Sequence, residues 1–72
     1  MLKAKFSLTT KAITPLIERH NGKCETPDVF IVEPVSYNDE QCIVVGAANP
    51  IMYLIGECAA AGFDSLMDVS RL

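Results

Sequence analysis

Residues 50–62 restrict the possible folds of this chain more than any other stretch, because they have helical character and a single charge, Glu57. A surface helix normally carries one apolar stripe and one polar face, whereas a helix that is apolar nearly all round is buried nearly all round. A chain of 72 residues has little other material with which to cover every side of such a helix. The segment therefore predicts that a second copy, another protein or a membrane covers part of it.

Spacings of three and four residues divide this helix into two sides. We expect core contacts from Ile51, Leu54, Ile55, Cys58 and Gly62. The opposite side, called the outer face below, consists of Met52, Tyr53, Gly56, Ala59 and Ala60. Small residues four positions apart let another backbone approach closely, and Tyr and Met are frequent at interfaces. The outer face is therefore the candidate interface of a homodimer or higher oligomer; the alternative is that it packs on the first helix of the same chain.

The start of the chain alternates between apolar and polar residues, which is the period of a half-buried strand. One side of this strand carries Leu2, Ala4, Phe6 and Leu8, and the other carries Lys3, Lys5, Ser7 and Thr9. An apolar stripe with helical spacing follows at Ile13, Leu16, Ile17 and His20. We expect Thr10 as the N-cap of this helix and Asn21-Gly22 at its end; the competing frame has Thr14 as N-cap and Pro15 at the first helical position.

Two further strands are predicted in the middle of the chain. Residues 29–32 are a β-branched apolar run. The nearby Pro34 cannot donate to a ladder, so this strand is expected to lie at a sheet edge or to carry a bulge. The polar residues 36–40 predict a hairpin connection. Residues 42–45 are apolar on both faces and are therefore expected at the centre of the sheet.

The end of the chain leaves two element orders open. We expect Asn49 to be the N-cap of the second helix, with Pro50 at its first position. Residues 65–72 fit a strand or a short helix, which gives βαββαβ or βαββα. The order βαββαβ resembles the ferredoxin-like arrangement. The sequence thus predicts one α+β domain over residues 1–72, with an antiparallel sheet and two helices on one face.

The cysteines, Cys24, Cys42 and Cys58, are odd in number and show neither disulfide-framework nor zinc-site spacing. We therefore predict free thiols in a reduced, cytoplasmic protein without a signal peptide, and neither a metal nor a cofactor. Cys42 and Cys58 lie in apolar segments and are expected in the core, whereas Cys24 is expected to be accessible. His20 is expected to donate to carbonyls at the helix end, and a nucleophilic couple of His20 with Cys24 is the minor alternative.

Charge and hydropathy argue against two kinds of partner. The formal net charge of −3 disfavours nucleic acid, which calls for a basic face. Residues 42–63 are long enough to span a bilayer, but Glu57 and the Asn49-Pro50 pair fall inside that span. Basic flanking residues are also missing, so a membrane partner is not predicted.

The loop between the third strand and the second helix is a candidate anion site. Free backbone N–H groups at a helix start attract negative charge, although the loop lacks the glycine pattern of a P-loop. Lys3 and Lys5 would add positive charge if a partner subunit brought them near. The candidate anion-binding set is therefore Ala47, Ala48, Asn49, Lys3 and Lys5, and the alternative is a plain tight turn.

No residue set in the sequence matches a catalytic motif, so an enzyme is not predicted. We expect a small non-enzymatic interaction or regulatory protein that self-associates and binds or inhibits a larger macromolecular partner, a class common among short bacterial and phage proteins. The alternative is a regulatory module that binds an anionic small molecule in a pocket between subunits.

Overall fold

The chain folds in the order βαββαβ, so the strand interpretation of the C-terminal segment is confirmed and the helical one is wrong. The computed structural model describes residues 1–35, 40–62 and 65–72. Its elements are β1 (Leu2–Phe6), α1 (Thr10–Asn21), β2 (Ile31–Pro34), β3 (Cys42–Gly46), α2 (Ala48–Ala60) and β4 (Leu66–Arg71). This is the predicted α+β class, and it is consistent with a ferredoxin-like arrangement.

The strands form one antiparallel sheet in the order β2-β3-β1-β4. The predicted positions of two strands are confirmed: β2, which contains Pro34, lies at an edge, and the apolar β3 lies inside. Lys3 lies opposite Val45 and Ser70, and directly opposed residues share a face of the sheet. Both β1 lysines therefore lie on one face of the sheet, and the buried Ala4 and Phe6 lie on the other, against the helices.

The core lies between the sheet and the two helices. α1 packs on β2, α2 packs on β1 and β3, and the helices pack on each other. The buried apolar residues are Ala4, Phe6, Ile13, Leu16, Cys42, Val44, Ile51, Leu54 and Cys58. The core positions of Cys42 and Cys58 are thus confirmed, and burial raises the pKa of the Cys58 thiol to about 11.

The starts of both helices differ from the prediction. The N-cap of α1 is Thr9 rather than Thr10 or Thr14, and its hydroxyl accepts a hydrogen bond from the Ala12 N–H at 3.0 Å. The N-cap of α2 is Ala47 rather than Asn49. Pro50 is tolerated because it still lies in the first turn, where N–H groups have no partner within the helix.

Two further element boundaries, the start of β2 and the end of α2, differ from the prediction. Strand β2 begins at Ile31 rather than at residue 29 and includes Pro34, because its pairing with β3 runs from Ile31 opposite Val45 to Pro34 opposite Cys42. Gly62 is exposed and has a φ of +89°, so it terminates α2 in a left-handed conformation instead of contributing to the core. The hairpin predicted over residues 36–40 falls almost wholly outside the described residues.

Neither helix in the described part of the chain is long and apolar enough to cross a membrane.

Candidate functional site

The C-terminal end of α1 brings together three side chains that we call the polar cluster: His20, Cys24 and Asp28. His20 lies in the last turn of α1 with only 6% of its surface exposed. Its Nε2 atom lies 2.7 Å from Oδ2 of Asp28, in the loop before β2. The prediction that this imidazole donates to carbonyls at the helix end is therefore wrong for Nε2, which pairs with the carboxylate of Asp28.

Cys24 completes the polar cluster from the loop that follows α1. Its Sγ atom lies 3.9 Å from Nε2 of His20 and 3.9 Å from Oδ2 of Asp28. The thiol also donates to the main-chain carbonyl of His20 at 3.4 Å. The three groups thus converge on one point, and Cys24 is partly exposed, as expected for the accessible thiol.

Neighbouring residues fix the polar cluster in place. Asn21 binds the main chain of Asp28 twice: its Oδ1 accepts from the Asp28 N–H at 2.9 Å, and its Nδ2 donates to the Asp28 carbonyl at 3.3 Å. The imidazole of His20 lies edge-on to Phe30, with ring centroids 5.7 Å apart, and stacked on Tyr53 at 6.4 Å. Both the main chain of Asp28 and the imidazole of His20 are therefore held in place by neighbouring side chains.

A cavity of about 280 Å³ adjoins the polar cluster and is lined by His20, Lys23, Cys24, Tyr53 and Glu57. Glu57, on α2, accepts a hydrogen bond from Lys23 and lies 3.6 Å from Nε of Arg19. The hydrogen bond from Lys23 and the positive charges beside it hold the pKa of Glu57 below its ordinary value. The cavity wall thus carries a fixed carboxylate that joins α2 to the end of α1.

The outer face of α2 is exposed in the chain. Met52 has 57% and Tyr53 has 69% of its surface exposed, and Gly56, Ala59 and Ala60 are also exposed. Another flank of the helix contacts the end of α1, where Glu57 meets Arg19 of α1 and Lys23 of the loop that follows it. Apart from the stacking of Tyr53 on His20, α1 does not cover this face within the described residues.

The candidate anion set does not form one site within a single chain. Ala47, Ala48 and Asn49 are exposed at the start of α2, but Asn49 does not cap the helix. Lys3 and Lys5 lie on the face of the sheet opposite the helices. Anion binding at this loop stays a prediction that depends on a second subunit.

Gly46 has a packing role beside Phe30. A Cβ atom at this position would lie 3.1 Å from Cδ1 of Phe30. The missing side chain lets the Phe30 ring approach β3 closely, and the same ring packs edge-on against His20. Gly46 therefore supports the polar cluster indirectly.

Asp28 is the member of the polar cluster that the sequence does not predict. The signal that could have found it is the regular spacing His20, Cys24, Asp28, in which each residue is four positions from the next. Only the first of these intervals starts on a helix, so the second depends on the course of a loop that the sequence does not specify.

The chain matches no protein-family model, no curated protein and no solved structure. The indications of its function therefore lie in its own surfaces. Two of them are distinctive: the polar cluster at the end of α1 and the outer face of α2.

Proposed function

We propose that this is a small non-enzymatic interaction protein that self-associates through the outer face and binds or inhibits a larger macromolecular partner. The observation that carries the proposal is the exposure of five uncharged residues along one side of α2, including Met52 at 57% and Tyr53 at 69%. Exposed apolar patches of this kind mark interaction surfaces. Aromatic residues and methionine are also enriched at interfaces.

Exposed apolar side chains are also present on β4. Leu66 lies opposite Phe6 and Val69 lies opposite Ala4, so both point to the helix side of the sheet, and each is 40% exposed. Because α1 packs on β2 and α2 packs on β1, the side of α2 away from α1 lies towards β4. A standard interface buries about 800 Å² per partner, which is roughly a sixth of the 4705 Å² exposed by this chain.

The backbone of the outer face is accessible at its centre. A Cβ atom placed on Gly56 would meet none of the described atoms within 4 Å. A second α2 can therefore approach closely across a twofold axis, as in an isologous dimer. Cys24, Cys42 and Cys58 form no disulfide, which fits the reducing, cytoplasmic location that belongs to this proposal.

Replacement of Gly56 by Leu tests self-association without harming the fold. The new side chain projects into open space, and Leu favours a helix by several tenths of a kcal/mol over Gly. We therefore expect Gly56→Leu to stabilise the monomer while weakening the dimer at least about tenfold, measured by sedimentation at micromolar concentration. The matched control is Thr14→Leu, which adds the same side chain to an exposed position of α1.

The outcome that contradicts self-association is a wild-type chain that sediments as a 7.8 kDa monomer at this concentration. For the macromolecular partner, immobilised wild type and Gly56→Leu would be compared for the proteins that each retains from a lysate. Retention by the wild type and by Thr14→Leu, but not by Gly56→Leu, would support the outer face as the binding surface. Equal retention by all three chains would contradict it.

A further inference from the structure

We propose that the polar cluster binds a divalent transition-metal ion, with zinc as the best fit, through Nε2 of His20, Sγ of Cys24 and a carboxylate oxygen of Asp28. The candidate ligand atoms of the three residues all lie within 4.8 Å of one another. Nitrogen, thiolate sulfur and carboxylate oxygen are the three ligand types that zinc takes in proteins. The cluster is thus a metal site that the spacing of the cysteines does not reveal.

The distances require only small movements on binding. With the usual zinc bond lengths, two ligands of a tetrahedral site lie about 3.4–3.6 Å apart. The sulfur of Cys24 lies 3.9 Å from both partner atoms, so it needs to approach by a few tenths of an ångström. The hydrogen bond between His20 and Asp28, at 2.7 Å, would open as the ion replaces the proton between them. A proton is then carried on Nδ1, so the imidazole stays neutral. Binding also releases the thiol proton of Cys24 to solvent.

The charges of the cluster match a divalent cation. A thiolate from Cys24 and a carboxylate from Asp28 together balance the two positive charges, and the imidazole binds in its neutral form. Lys23, which also lines the cavity, is paired with Glu57. The positive charge of Lys23 beside the cluster is therefore already compensated.

Neighbouring residues hold two of the three ligands in place, and one side of the site is open. Asn21 holds the main chain of Asp28 through two hydrogen bonds, and Phe30 and Tyr53 orient the imidazole. His20 and Cys24 also line the cavity of about 280 Å³. Three protein ligands beside a cavity leave the fourth position for water or a small exogenous ligand, as in zinc sites that are not closed by a fourth side chain.

The same geometry disfavours a nucleophilic couple. In a cysteine–histidine–aspartate relay, the thiol and the carboxylate must contact different nitrogens of the imidazole. Here both Cys24 and Asp28 approach Nε2 of His20. Groups that converge on one point suit an ion between them, whereas a triad needs the thiol at one ring nitrogen and the orienting carboxylate at the other.

The test is a titration of the metal-free protein with Zn²⁺ in competition with a chromophoric chelator. We expect one ion per chain. Cys24→Ser and Asp28→Asn should each lower the affinity for Zn²⁺ by about 100-fold or more. Loss of a residue that only hydrogen-bonds to a metal ligand already costs about 10–100-fold. Glu25→Gln, which removes an exposed carboxylate next to Cys24, is the matched control and should bind as the wild type does.

A second measurement uses the unaltered protein, so it does not depend on how the variants fold. Co²⁺ should give a thiolate-to-metal charge-transfer band, and Zn²⁺ should protect Cys24 from alkylation. Failure of the wild type to bind Zn²⁺ stoichiometrically at micromolar concentration would overturn the site, as would Cys24 alkylation that Zn²⁺ does not slow. All three ligands come from one chain, so a monomeric protein that binds zinc would contradict the proposed association and leave the metal site supported.

Discussion

The polar cluster and the outer face differ in what they can select. In the polar cluster, nitrogen, sulfur and oxygen atoms lie within 4.8 Å of one another. The side chain of Asn21 fixes the main chain of Asp28, which supplies the oxygen. The outer face presents two large exposed side chains, Met52 and Tyr53, around small residues, and its centre at Gly56 is open. Convergent donors select a small ion by chemistry and distance, whereas a flat apolar face selects a large surface by shape.

The two regions meet at Tyr53. This residue belongs to the outer face, and its ring also stacks on His20 with centroids 6.4 Å apart and lines the cavity beside the cluster. A partner that covers the outer face would therefore reach the rim of the cavity. The two proposals concern neighbouring surfaces, but their experiments separate them.

The largest effect is expected from a comparison of the two sides of α2. Leu54 is fully buried, so Leu54→Ala should destabilise the fold by about 2–5 kcal/mol. Met52 is 57% exposed, so Met52→Ala should change the stability of the monomer by only about 0.5 kcal/mol. Chemical denaturation at a protein concentration that keeps the chain monomeric measures both values. A loss of several kcal/mol in Met52→Ala would show that the outer face belongs to the core.

Most of the fold could be predicted from local patterns of apolar residues, because those patterns follow from which side chains are buried. The alternation at Ala4 and Phe6 gave the buried side of β1, Pro34 placed β2 at an edge, and the apolar run from Cys42 placed β3 inside. Helix starts were less predictable. Asn49 has the better capping side chain, but the connection from β3 ends earlier and places Ala47 at the cap.

The candidate site was predictable only in part. His20 and Cys24 are four residues apart at a helix end, a spacing that brings side chains together, so their proximity could be considered from sequence. Asp28 reaches them because a loop returns towards β2 and because Asn21 binds its main chain. Such loop paths follow from tertiary packing, including the contact between Phe30 and Gly46, and leave little trace in the sequence.

Effects of intermediate size on stability are expected from alanine substitutions at Gly46 and Gly56. Gly46→Ala would place a methyl group 3.1 Å from the Phe30 ring, and the crowding should exceed the entropic gain, for a net loss of about 1 kcal/mol. Gly56→Ala meets open space inside a helix and should stabilise the monomer by up to about 1 kcal/mol. Thermal unfolding of both variants measures these changes. Equal effects at the two positions would show that Phe30 moves freely and does not hold His20.

The smallest effect is expected at Glu57, which lies between the two regions. The hydrogen bond from Lys23, with the charges of Lys23 and Arg19, lowers the pKa of Glu57, so folding favours its ionised form. This contribution to stability is present above the ordinary pKa of a glutamate and is lost as the pH falls through the lowered pKa of the folded state. Lys23 and Arg19 are 60% and 62% exposed, so solvent and salt should screen the pair strongly.

Glu57→Gln should therefore melt slightly below the wild type at neutral pH and low salt, with a difference that shrinks both on acidification and on addition of salt. Thermal unfolding of both proteins across this range measures the difference. Glu33→Gln, which removes an exposed carboxylate from the edge strand β2, is the control for a general change in net charge. If the two variants behave alike at every pH, the ion pairs do not stabilise the contact between α1 and α2. The polar cluster would then depend on Asn21, Phe30 and Tyr53 for its position. The Glu57 side chain would line the cavity without being fixed by Arg19 and Lys23.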